Sequence, residues 1–160
     1  AAAEIVGLTV PFANHELILK RVHGFVQGKI LIDVTVPPMP PKVMRVQMPK
    51  GGSAAKRAQE LLGESVRVVS AFQNVAAAHL TDLNHHIDCD VLVCGNDKTA
   101  REEVIQLAAA AGMTGWHAGS IDNSAVAESL TSVLIFLNKN YKIKGAGIRI
   151  TGKSPGVLEG

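Results

Sequence analysis

The sequence predicts an α/β protein: a parallel sheet with helices on both faces, ending in a long helix. Three observations carry this. Apolar residues make up 47% of the 160-residue chain but aromatics only 4%, so Ala, Val, Ile and Leu must build the core. Short runs rich in Val and Ile alternate with segments of helical period. That strand–helix–strand alternation implies parallel strands joined by right-handed crossovers. A chain of this length predicts one domain, or one with a small appendage.

The elements follow in order. "EIVGLTVPF" is a continuous apolar run ended by Pro11, the pattern of a strand buried on both faces. "NHELILKRV" is helical, with Leu17, Ile18 and Val22 apolar and Asn14 as candidate cap. "KILIDVTV" is a second strand, and the prolines of "PPMPP" carry the chain extended off the sheet. "GGSAAKRAQELLGE" is a helix capped by Ser53 and stopped by Gly63. "VRVVSAF" is a third strand, "QNVAAAHLTDLNHH" a partly helical connector, and "DCDVLVCG" a fourth strand. "DKTAREEVIQLAAAAG" is a helix with Asp97 at its start and Gly112 just past its end. "TGWHAG" predicts a short edge strand, and the last helix runs from Asn123 or Ser124 to about Tyr141. Its stretch "AVAESLTSVLIFLN" is apolar on more than one face, which predicts burial against a second subunit. "KGAGIRITGKSPGVLEG" predicts surface loops.

Composition narrows the function. The net charge is +2 and the basic residues are scattered, so no footprint for nucleic acid is present. "KNYKIKGAGIR" reads as a solvated face or a small-anion contact. No apolar run approaches the ~20 residues of a membrane span, and no signal peptide is visible. The chain has no initiator Met and opens mid-pattern, which reads as a missing beginning. Cys89 and Cys94 form neither a C-x-x-C pair nor a disulfide framework, and reduced thiols fit a cytoplasmic protein. With His85 and His86 they lack zinc-site spacing, so no metal is expected.

No Ser-His-Asp set, carboxylate pair, P-loop or G-x-G-x-x-G is present. "KGAGIR" follows a helix, not a strand, so the dinucleotide mechanics fail there. His79 and His117 are isolated candidates for acid–base work. Glu128 shares a helix face with Thr131 and Ser132, placed to anchor that helix to a loop or to touch a ligand. In parallel sheets, ligands bind at the carboxyl ends of strands. Three such ends, "TVPFAN", "DVTVPP" and "SAFQNVAAAH", would form a cleft lined by Thr9, Val10, Pro11, Thr35, Val36, Pro37, Gln73 and Asn74. A flat apolar cleft edged with amides and hydroxyls suits an aromatic ring system better than a phosphate.

"EIVGLTVPFANH", "KILIDVTVPP", "VRVVSAFQNVAAAHL", "DVLVCGND" and "HAGSIDNSAVAESLTSVLIFLNKNYKIKGAGIRITG" follow one another as in the NADPH-dependent F420 reductases, which the chain resembles over nearly its whole length. The resemblance implies a partial Rossmann-type domain over 1–75 and a smaller C-terminal α/β domain, for deazaflavin binding and dimerisation, over 76–160. It implies hydride transfer between NADP(H) and the deazaflavin coenzyme F420 in a homodimer, with the protein orienting two cofactors and supplying no catalytic side chain. "TVPF" would lie beside the nicotinamide, "TVPP" would flank the stacked rings and "FQNV" would floor the deazaflavin pocket. Gly119, Ser120 and Asn123, at the entrance of the last helix, would close it. The family's opening strand and Gly-rich turn have no counterpart in this sequence, so firm NADP binding is expected to need that segment. Gln73 and Ala76 also stand where relatives often carry other residues. Two alternatives are a truncated, non-enzymatic relative acting in assembly, and a reductase of the same superfamily with a flavin or other acceptor.

Overall fold

Among the residues that the computed structural model describes (3–37, 40–81 and 86–152), five strands form one sheet in the order β1-β2-β3-β4-β5. They are β1 (Ile5–Leu8), β2 (Ile30–Asp33), β3 (Arg67–Ser70), β4 (Asp90–Gly95) and β5 (Thr114–His117). Between and after them come α1 (Phe12–Val22), α2 (Ala54–Leu62), the one-turn α3 (Ala77–Leu80), α4 (Lys98–Ala110) and α5 (Ser124–Tyr141). Pro38, Met39 and His85 lie outside the described residues.

Alternation of side chains along the central strands sets the layers. Ile30 and Ile32 of β2 and Val69 of β3 share one face with Val91 and Val93, under Ala100, Val104 and Ala108 of α4. Leu31 and Val68 point the other way, under Leu19 of α1 and Ala55, Ala58 and Leu62 of α2. The first of these clusters draws on both sides of position 75.

The sheet departs from an all-parallel one at a single junction. β1, β2 and β3 are parallel, with Ile30 opposite both Ile5 and Arg67, and β5 is parallel to β4. β4 is antiparallel to β3, pairing Ser70 with Cys94. A parallel return needs a crossover long enough to recross the sheet. The helix in the described part of this connection is the four-residue α3. The reversal separates two edges: β1, β2 and β3 end where β4 and β5 begin, and β4 and β5 end at the opposite edge.

Local signals explain the helix ends. Ser53 Oγ accepts from Lys56 N at 3.0 Å, Asp97 Oδ1 accepts from Ala100 N at 2.6 Å, and Gly63 leaves α2 at φ 78°. Two expectations are corrected. α1 starts at Phe12 with Pro11, not Asn14, at the cap position, because proline's fixed φ suits a helix start and Asn14 N already donates to Pro11 O. β1 is an edge strand, with Gly7 exposed and Ile5 and Val6 half-buried, so it is not covered on both faces. The glycines of "KGAGIR" serve packing: a Cβ on Gly145 would strike the His79 ring, and one on Gly147 would lie 2.6 Å from Cys89 Sγ.

Candidate functional site

The tips of β1, β2 and β3 are tied together around Asp33, the last residue of β2. Asp33 is fully buried, and its Oδ2 lies 2.6 Å from His15 Nε2, also buried. Its Oδ1 accepts from Thr35 N at 2.9 Å, which bends the chain after β2. Its backbone carbonyl accepts from Gln73 Nε2 at 2.8 Å, reaching the β3 tip. Val34 N donates to Leu8 O and joins the β1 tip. His15 stacks on Phe12, with ring centroids 6.1 Å apart, so α1 is tied to the same hub. Thr131 of α5 donates to Gln73 O at 2.8 Å from the other side.

These tips wall a cavity of about 650 Å³, a size ordinary for small-molecule sites. Thr9, Val10, Pro11 and Phe12 line it from the first tip, Val34, Thr35 and Val36 from the second, and Phe72, Gln73 and Val75 from the third. Ala77 and Leu80 of α3, Leu107, Ala111 and Met113 around the end of α4, and Thr131 complete it. None of these side chains titrates. Thr35 Oγ1 and Gln73 Oε1 have no hydrogen-bond partner among the described residues, although both residues are buried. Phe72 sits at φ 69°, a conformation costly for an aromatic residue and one that clusters at functional sites.

Six of the sequence-predicted residues therefore meet at one cavity: Thr9, Val10, Pro11, Thr35, Val36 and Gln73. Pro37 is buried but stands outside the lining. Asn74 is turned to the scaffold, its Nδ2 donating to Asp90 O at 2.7 Å and Cys89 Sγ at 3.1 Å. Gly119, Ser120 and Asn123 lie at the opposite edge of the sheet. Gly119 O accepts from Gly95 N, and Asn123 Nδ2 donates to Ala118 O at 2.7 Å. The α5 entrance meets α2 and not the cavity. Ser124 Oγ donates to Ile121 O and so accepts from Ser53 Oγ at 2.6 Å. Glu128, fully buried, accepts from Ala54 N at 2.7 Å and Ala55 N at 3.0 Å, giving the α2 N-terminus a second cap. Of the two roles open to Glu128, anchoring is what it performs. Burial pushes its carboxyl up to about 7, against the pull of those two N–H groups.

Sequence reasoning missed Val34, Thr131, Leu107 and Met113 as cavity residues, whereas Phe72 and Val75 lie in the "FQNV" floor that the resemblance implied. Only Thr131 had a signal, its place on the Glu128 face of α5. Elsewhere, a groove of about 640 Å³ at the opposite edge is lined by charges of both signs, including Lys56, Glu60, Glu64, Arg67 and Asp97. His117 Nδ1 accepts from Arg101 Nε at 3.2 Å, and burial, then the guanidinium, lowers its basicity. Cys89 and Cys94 are buried free thiols, Cys94 pushed by burial to about 11. Among the described residues no helix is long and apolar enough to cross a membrane.

Comparison with known proteins adds the chemistry. No family model matches the chain. The F420-dependent NADP reductase of Methanocaldococcus jannaschii is 41% identical over 152 residues, 92% of this chain and 68% of that protein. The F420-dependent NADP reductase of Methanothermobacter marburgensis is 36% identical over 154 residues, 93% of this chain and 69% of that protein. A crystal structure from Arthrobacter sp. FB24, provisionally described as an F420-dependent NADP reductase, superposes with a TM-score of 0.81 at 25% identity, covering 95% of this chain and 71% of that one.

Proposed function

The chain belongs to the family of F420-dependent NADP reductases, and we propose that the cavity at the tips of β1, β2 and β3 is where the two cofactors meet. The protein is an oxidoreductase that moves a hydride between NADP(H) and coenzyme F420, a deazaflavin. No observation favours a non-enzymatic role or another acceptor. The wall of the cavity carries the placement. It is predominantly apolar, and among the described residues it presents two buried polar atoms without partners and no lining side chain that titrates. Those features fit flat, mostly apolar rings with a polar edge.

When bound, the cofactors supply the carbon that gives the hydride and the carbon that takes it. The chain's part is to align them and keep water out. Thr9, Val10 and Pro11 would hold one ring from the β1 tip, Thr35 and Val36 would flank the stack, and Gln73 would floor it. Leu80, Leu107 and Met113 cover the side away from α1. A hydride transfer asks no side chain for a proton, in keeping with the described lining.

In this reading residues 1–75 form the dinucleotide side and 76–160 the deazaflavin and dimerisation side, the two sharing one sheet and one core. A homodimer is supported by α5, where Val126, Val133 and Phe136 are 67%, 45% and 49% exposed, with the exposed Val46 and Met48 beside the first two. Light scattering should give the mass of two chains, and a monomeric mass would count against that assembly. Free Cys89 and Cys94 fit a cytoplasmic location. The functional test mixes the complete chain with NADPH and F420 and follows the visible absorbance of the deazaflavin. Its loss is expected. Rapid reduction of a flavin with F420 left untouched would replace the reading.

A further inference from the structure

Gln73 carries an arrangement that hydride transfer alone does not explain. Both hydrogens of its carboxamide nitrogen are spent, one on Asp33 O at 2.8 Å and the other on Ser70 Oγ at 2.8 Å. The Asp33 carbonyl can only accept, so a half-turn of the amide would set oxygen against oxygen. The amide is locked in one orientation, and Oε1 is an obligate acceptor. It has no partner among the described residues, although Gln73 is only 6% exposed. Buried acceptors are nearly always satisfied, so one left open on the wall of a cavity marks a place for a donor. Thr35 Oγ1, on the neighbouring tip and in a residue 3% exposed, is open in the same way. Two further features keep Gln73 in place: the left-handed Phe72 before it, at φ 69°, and the Thr131 hydroxyl on its carbonyl.

Resting on the reading that this cavity holds the reacting rings, we infer that Gln73 Oε1 accepts a hydrogen bond from an amide-type N–H on the bound ring system, with the Thr35 hydroxyl as the second polar contact. An obligate acceptor beside a hydroxyl matches an edge that carries an N–H next to a C=O. The imide of a deazaflavin and the carboxamide of a nicotinamide both have such an edge. A ring of the same shape without that hydrogen leaves Oε1 buried and unpaired. The scaffold therefore selects on the polar edge of the ring as well as on its flatness.

The test measures binding to the complete chain of two matched pairs. One is a deazaflavin ring compound and its derivative methylated at the imide nitrogen. The other is nicotinamide mononucleotide and its analogue with acetyl in place of the carboxamide. In one pair the parent should bind about tenfold more tightly, the scale of one lost buried hydrogen bond, and in Gln73→Met the gap should close to within about twofold. The pair that discriminates names the ring that Gln73 reads. No discrimination by the unaltered chain in either pair overturns the inference, as does a gap that persists in Gln73→Met. If the unaltered chain binds none of the compounds, the cavity reading itself fails and the inference with it. The comparison between ligands needs no substitution, so a Gln73→Met chain that does not fold still leaves the first criterion decisive.

Discussion

Replacing Glu128 by Gln should change how stability depends on pH. The carboxyl is fully buried between α5 and the start of α2, and burial raises it from 4.5 to about 7. Between those values the folded chain holds a proton that the unfolded chain has released. The stability contributed by Glu128 is thus fully present below about pH 4.5 and is lost as the pH rises through about 7. The gap from 4.5 to about 7, at ~1.4 kcal/mol per unit, is worth roughly 3 kcal/mol. Gln keeps an oxygen for one of the two helix N–H groups but turns an NH2 toward the other. That costs about 1–3 kcal/mol independently of pH. Urea denaturation of both chains at a series of pH values isolates the effect, because titrating groups that do not interact with Glu128 cancel in the difference. The stability of the unaltered chain relative to Glu128→Gln should fall by roughly 3 kcal/mol from about pH 4.5 to about pH 8. A difference that stays level, or one that grows with pH, would refute the reasoning.

Other expectations follow from single contacts. Ser53→Ala removes the α2 cap and the hydroxyl that donates to Ser124, and should cost about 1–2 kcal/mol in denaturant unfolding. Gly147→Ala places a methyl 2.6 Å from Cys89 Sγ and should cost about 1–3 kcal/mol. Adding Cys89→Ala should recover much of that loss, and a double variant no better than the single would remove the clash as the cause. Thr131→Val should weaken ring binding several-fold by freeing Gln73 O, with only about 1 kcal/mol lost in stability. Cys94, with its thiol pushed to about 11, should resist alkylation at mildly alkaline pH until the chain is unfolded.

Local patterns carried much of the fold. Ser53, Gly63, Asp97 and Gly112 mark helix ends through their own backbone chemistry, and the buried run "ILID" needs no partner to read as a strand. The direction of β4 was not legible, because it depends on what a 19-residue connection between Ser70 and Asp90 can span. At the site, the recurring turns after β1, β2 and β3 brought six residues to one cavity. The α5 entrance lies apart from that cavity for a physical reason. Just inside it Glu128 accepts from the α2 N-terminus, whose donors lie 73 and 74 residues away in sequence, and this pins the start of α5 to α2. Met113 and Leu107 reach the cavity only through the reversed placement of α4 and β5, which no local motif reveals.

The central claim is that the reacting rings sit at the tips of β1, β2 and β3 and not at the α5 entrance. Titrating F420 fluorescence against Val36→Trp, which fills the cavity, and Ser120→Ala, at the opposite edge, separates the two. The account predicts that Val36→Trp weakens binding by about tenfold or more while Ser120→Ala leaves it unchanged. Unaltered binding by Val36→Trp with loss in Ser120→Ala would contradict it.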